Sequence, residues 1–153
     1  NVKSLEDICL KWPKNPPSAA FKKSLNNQVA LISRKLHGNG LNHRDFYLCH
    51  FLLDIAELGD NYETRQPKLF LIDLHRAQQR QAIPFRWRVK DIGGLYFSAM
   101  DIGLTQRDIF RFMRTYAGKS LRQTLREDKR FWKAVQRRAV KMYKKEFGGR
   151  TNN

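Results

Sequence analysis

Residues 36–51 read Leu36-His37-Gly38-Asn39-Gly40-Leu41-Asn42-His43-Arg44-Asp45-Phe46-Tyr47-Leu48-Cys49-His50-Phe51, and they gather three of the chain's four histidines, one of its two cysteines and an Arg-Asp pair. The glycines close a helix that begins well upstream. Ser18 is a candidate N-cap, and Phe21, Leu25, Val29, Ile32 and Leu36 recur at spacings of four, four, three and four, so one helical face is buried. Downstream, CHFLLDI (49–55) and KLFLIDL (68–74) are short apolar segments separated by ELGDNYETRQP, the pattern of a hairpin with a long connection. Its second strand ends on another carboxylate, Asp73. If the strands pair, Asp45 and Asp73 face one mouth of the domain. Phosphoryl transfer asks for such a pair: one carboxylate to orient and deprotonate an attacking hydroxyl, one to hold Mg²⁺ against nucleotide phosphates. Taken singly, either aspartate is more readily an ordinary loop cap.

Working outward, SLEDICLKW is a short helix capped by Ser4, which the prolines of WPKNPP break. Helical patterning resumes around Lys90 and runs to the end. Thr105 and Asp108 resemble a capping box opening DIFRFMRTYA, which Gly118 stops, and Ser120 caps SLRQTLRED. In DKRFWKAVQRRAVKMYKKEF, Phe131, Val135, Ala139 and Tyr143 fall four apart with basic residues around the remainder. The expectation is a single α+β domain over 1–153, mainly helical with a small two-stranded element, and a flexible tail at 148–153.

Hydrophobic content of 41% and aromatic content of 12% argue against disorder. No apolar run approaches a membrane span, and no secretory signal is visible at the N-terminus. Cys9 and Cys49 make no disulfide framework, so reduced thiols in the cytosol are expected. The loudest bulk signal is 30 Lys+Arg against 14 Asp+Glu, a net charge of +16. Such a field selects polyanionic partners: nucleic acid, anionic lipid, phosphorylated glycan or an acidic protein.

Leu36-His37, Gly40-Leu41 and His43-Arg44-Asp45 resemble the helix end and catalytic loop of the protein-kinase fold, LHxxGIxHRDxxxxN, and the strand ending in Asp73 is similar to the one delivering the metal-binding aspartate of DFG. His50 stands in the asparagine position, and Leu74-His75-Arg76 replaces Phe-Gly. With IDLHRAQ, RWRVKDIGGLYFSAMDIGLTQRD and the basic C-terminal helices, the set resembles the lipopolysaccharide core heptose-I kinases of Gram-negative bacteria, from about Leu5 to about Tyr143. The resemblance implies a kinase-like C-terminal lobe and ATP- and Mg²⁺-dependent phosphorylation of the first inner-core heptose. It makes Asp45 the base and Asp73 the Mg²⁺ ligand, with His50 binding metal or hydrogen-bonding the loop. Arg44 and His43 brace the loop, and Asp91, expected to open the helix after RWRVK, anchors its backbone or is an ordinary N-terminal helix charge. Tyr47 takes the place of a lysine found near the transferred phosphate in many protein kinases, leaving that contact to His75 or Arg76. No GxGxxG precedes Asp45, so the chain reads as a C-terminal lobe without the nucleotide-holding N-terminal lobe.

The acceptor implied is the inner core joined to lipid A, at the inner face of the cytoplasmic membrane. Lys133, Arg137, Arg138, Lys141, Lys144 and Lys145 would form a peripheral docking face without a spanning segment. Kdo phosphorylation and glycolipid binding without transfer remain open beside this reading. A basic helix-turn-helix is a reading of another class, LTQRDIFRFMRTYAGKSLRQTLRE having that outline, but it leaves the HRD loop and Asp73 without purpose, so no nucleic-acid partner is expected. Zinc on His43, Cys49, His50 and His75 lacks the spacing of a structural site.

Overall fold

The computed structural model describes residues 1–148 except 57, 60–62 and 65; from residue 149 on, the expected tail lies outside the described residues. The chain opens with β1 (Val2–Ser4), which passes directly into α1 (Leu5–Cys9), and the Ser4 hydroxyl accepts the Asp7 N–H. After the prolines comes α2 (Ala19–Gly38), capped by the Ser18 hydroxyl on the Phe21 N–H. At φ 79°, Gly40 turns the chain out of α2, and a Cβ there would collide with the Arg80 carbonyl, so only glycine fits.

Next come β2 (Leu41–Asn42), a 3₁₀ turn at Leu48–His50, β3 (Phe51–Asp54) and β4 (Leu69–Leu71). A second 3₁₀ turn, Leu74–Arg76, leads to β5 (Gln78–Gln79), and β2 and β5 pair antiparallel. Four helices complete the described chain: α3 (Phe85–Ala99), α4 (Gln106–Ala117), α5 (Leu121–Glu127) and α6 (Lys129–Phe147). Both halves of the Thr105–Asp108 capping box are made, Gly118 ends α4 at φ 68°, and the Ser120 hydroxyl accepts the Gln123 N–H.

Mainly helical with small sheets is therefore right, but the strands differ from the expected hairpin. β3 pairs with β4 and is also flanked by β1, giving an antiparallel sheet of order β1-β3-β4. Cys49 and His50, read as strand, belong instead to the 3₁₀ turn before it. α3 begins at Phe85 behind Pro84, not near Lys90, because proline's fixed φ suits a helix start. Asp91 is consequently well inside α3 and buried, which removes the reading of it as an N-terminal helix charge.

The core joins Leu5, Phe21, Leu25, Phe46, Phe51, Ile92, Phe131 and Val135. Phe46 and Phe51 pack edge to face at 5.2 Å, pinning both ends of the segment that carries the site. α3 brings a pair of glycines to this region. A Cβ on Gly94 would lie 3.0 Å from Tyr47 Cε1 and 3.3 Å from the Phe46 carbonyl oxygen, and one on Gly93 would lie 3.1 Å from Arg138 Cγ. Missing side chains on α3 let the 43–50 loop approach one side of the helix and α6 the other.

Candidate active site

Three elements build the site: the loop after β2, the turn after β4, and α3 beneath them. Asp91 Oδ2 accepts the His43 backbone N–H at 2.8 Å and Oδ1 accepts the Arg44 N–H at 2.9 Å. One buried carboxylate thus grips two consecutive peptide groups. Arg44 can therefore hold φ 78°, a left-handed conformation that costs a non-glycine residue roughly 1–2 kcal/mol. His43 is fully buried, and its ring is spent on the backbone. Nε2 faces the Ile72 carbonyl at 2.9 Å and Nδ1 accepts the Asp45 N–H at 3.1 Å, which fixes a neutral ring with hydrogen on Nε2. With both nitrogens engaged, His43 has no lone pair for a metal. Among the described residues no group of three or more His, Cys, Asp or Glu side chains converges to hold an ion, so the zinc reading finds no support.

His50 spans the two aspartates. Its Nδ1 lies 2.6 Å from the Asp45 carbonyl oxygen and its Nε2 lies 2.9 Å from Asp73 Oδ2. The Asp45 carbonyl can only accept, so Nδ1 carries a hydrogen, and Nε2 is turned to the Asp73 carboxylate. Asp73 sits two residues past β4 at φ 65°, half exposed, and its other oxygen meets His75 Nδ1 at 2.6 Å. Arg76 Nη1 lies 2.7 Å from Asp45 Oδ1. Asp45 and Asp73 are thus brought together through His50, and each carboxylate is faced by a basic side chain from the 74–76 turn.

Tyr47 lies against Gly94, and its hydroxyl is pushed above its ordinary range by burial and then by the Asp45 charge, with Arg138 and Arg76 opposing. Arg138 runs its stem over Gly93 towards the loop and, like Lys133, Arg137, Lys141, Lys144 and Lys145, is exposed along α6. The Lys90 ammonium is held below its usual range by burial and then by Arg138, Arg44 and Arg76. Burial pushes the Cys9 thiol up to about 12 and raises Cys49 as well, so neither is a ready nucleophile.

Two contributors escape a sequence reading. His37 Nε2 lies 2.8 Å from Asp91 Oδ2 and its Nδ1 lies 2.6 Å from the Tyr116 hydroxyl, tying α2 and α4 to the carboxylate that holds the loop. Ser98 Oγ accepts the Leu48 N–H at 3.0 Å. His37 stands in the quoted motif, and its burial at a helix end next to two glycines is the one signal that points to it. An apolar cavity of about 380 Å³ lies away from this chemistry, lined by residues including Leu25, Val29, Leu95, Met113 and Val135.

Comparison with known proteins shows the family. A family model described as "Lipopolysaccharide kinase (Kdo/WaaP) family" matches residues 1–116. The lipopolysaccharide core heptose(I) kinase WaaP of Escherichia coli is 47% identical over 139 residues, 91% of this chain and 51% of that protein. Its counterpart in strain K12 is 54% identical over 80% of this chain and 45% of its own length, and that of Pseudomonas aeruginosa is 44% identical over 93% and 52%. A solved structure, "WaaP in complex with acyl carrier protein", superposes with a TM-score of 0.84 at 43% identity, covering 94% of this chain and 58% of that one. The chain spans about half the length of the curated relatives it matches.

Proposed function

Because this chain belongs to the lipopolysaccharide kinase (Kdo/WaaP) family, we propose that it forms the catalytic lobe of an ATP- and Mg²⁺-dependent kinase acting on the first heptose of the lipopolysaccharide inner core. The observation that carries the reading is His50, one imidazole touching the Asp45 carbonyl and the Asp73 carboxylate at once. Asp45 is the base: it accepts the proton of the heptose hydroxyl as that oxygen attacks. Arg76, now on Asp45 Oδ1, is placed to swing onto the transferred phosphoryl group, the task a lysine performs at the Tyr47 position in many protein kinases.

A hard, partly exposed carboxylate such as Asp73 suits Mg²⁺. Bound there, the ion supplies charge neutralisation at the nucleotide phosphates. His50 fits a different part: it orients Asp73 and closes the loop, because its nitrogens are already committed and imidazole is the softer donor. His75 flanks the same carboxylate, and His43, Arg44 and Asp91 hold the loop's shape.

No helix among the described residues is long and apolar enough to cross a membrane. The proposal therefore includes peripheral attachment at the inner face of the cytoplasmic membrane through the basic face of α6, with inner core–lipid A as acceptor. An acidic protein is a further partner, the solved relative having been captured with acyl carrier protein and this chain carrying +16. One variant of the reading follows from a specific observation: Kdo as acceptor, which the family description names.

The test is phosphate transfer from ATP to purified heptose-terminated and Kdo-terminated acceptors, run on this chain and on the intact protein. Heptose acceptors should be labelled, and Asp45→Asn should reduce kcat at least a hundredfold with folding unchanged. Undiminished incorporation in that variant overturns the assignment of the base.

A further inference from the structure

Trp87, half buried in the first turn of α3, collects cations. The guanidinium carbons of Arg44, Arg80 and Arg86 lie 5.7, 5.6 and 5.3 Å from its ring centre, and Lys90 Nζ lies 5.1 Å away. They arrive from three places: the 43–50 loop, the exit of β5, and α3. The convergence is therefore tertiary and not the accident of one basic helix. An indole has two faces, and each exposed cation–π contact contributes about 0.5–1 kcal/mol. Mutual repulsion of like charges this close is of the same order or larger, so the ring alone does not compensate the cluster.

Among the described residues no carboxylate forms an ion pair with any of the four either, and the Arg80 guanidinium donates to the neutral Asn42 Oδ1 and Gln78 Oε1. Elsewhere several acids are matched to cations, as Asp108 is to Lys22 and Asp128 to Lys119. Two donors inside the cluster, Arg44 Nε and Trp87 Nε1, are buried without a hydrogen-bond partner. Arg44 adjoins Asp45 in the chain, and Lys90 feels both the Asp45 charge and the neighbouring Arg76 and Arg138. The Asp73 side of the site is bounded instead by His50 and His75.

We propose that Arg44, Arg80, Arg86 and Lys90, gathered on Trp87, form an acceptor subsite that binds an oxyanion, phosphate or carboxylate, carried by the glycan beside the hydroxyl that faces Asp45. This rests on the reading of Asp45 as the base on the acceptor side. Guanidinium forks pair two oxygens of such a group at once and thereby fix the sugar's register. The subsite selects which hydroxyl reaches the base, so a neutral glycan is a poor acceptor.

The experiment uses the intact protein, ATP and a lipid-free inner-core oligosaccharide, with Arg86→Gln and Lys90→Gln as variants and Arg122→Gln, exposed on α5, as control. Each cluster variant should raise the KM for the oligosaccharide about tenfold or more, with kcat and the KM for ATP within about twofold; this split is one that a merely structural role would not produce. Phosphatase-treated and carboxyl-reduced oligosaccharides identify the group: the treatment that removes it raises the wild-type KM and abolishes the difference from the variants. An unchanged oligosaccharide KM overturns the subsite, and a rise in the KM for ATP instead assigns the cluster to the nucleotide. Calorimetric binding of the oligosaccharide to Asp45→Asn, with and without Arg86→Gln, separates the two readings. A tenfold weakening there supports the subsite even if Asp45 is not the base, and equal binding removes it.

Discussion

At the scale of single residues, Asp91 governs the site without touching the reacting groups. It accepts N–H groups from His43, Arg44 and the His37 ring, and hydrogen bonds to a charged group contribute about 1.5–3 kcal/mol each. Asp91→Asn keeps the shape but removes the charge and turns an amide donor towards other donors. It should cost about 3 kcal/mol of stability in denaturant unfolding and lower kcat more than KM, since the loop would lose its left-handed turn at Arg44. The HRD motif and the second aspartate were legible because residue type and spacing carry them. The Tyr116–His37–Asp91 connection was not, because three residues far apart in sequence reveal a hydrogen-bond chain only when packing makes them neighbours.

Among the elements, helices could be read and strands largely could not. Ser18, Thr105 and Ser120 cap where the sequence places caps, because a cap is a local bargain between one side chain and one turn. β1, β2 and β5 have two or three residues each, too few to display an alternating period. Asp108 shows how one cap also joins helices: it closes the α4 capping box and meets Lys22 of α2 at 2.8 Å. Burial works to raise its carboxyl, but the hydrogen bonds from Lys22 and Thr105 outweigh burial and hold it below the ordinary carboxylate range. A depressed carboxyl stabilises the fold above its unfolded value, near 4, and that contribution is lost as pH falls through the lower folded value. Asp108→Asn should therefore destabilise by about 1–3 kcal/mol at pH 7 and progressively less below about pH 4, as thermal unfolding across that range will show.

On the scale of the whole molecule, the charge of +16 was plain from composition, but its division into uses was not. Arg44, Arg80, Arg86 and Lys90 gather on Trp87, whereas Lys133, Arg137, Lys141, Lys144 and Lys145 are exposed along α6. With about 1 kcal/mol per basic residue near an anionic bilayer, the α6 face accounts for several kcal/mol of attachment at low salt. Sedimentation with phosphatidylglycerol vesicles should be strong at about 0.05 M NaCl and fall steeply by about 0.5 M as screening shortens. Replacing those five residues by Gln should abolish it, and salt-insensitive binding would place the membrane contact elsewhere.

The order of strands in the larger sheet also sets an order of events. β3 is the middle strand, yet one neighbour comes from residues 2–4 and the other from 69–71. On a growing chain, Val2–Ser4 cannot make its pairing with β3 until residues 51–54 have been made, by which time α2 and the entire 43–50 loop lie between the two strands. Closing that long loop costs entropy that only packing restores. The pairing of Val2–Ser4 with β3 and the placing of the 43–50 loop between the two strands are therefore linked, because the loop is closed only once Asp54 can meet Val2.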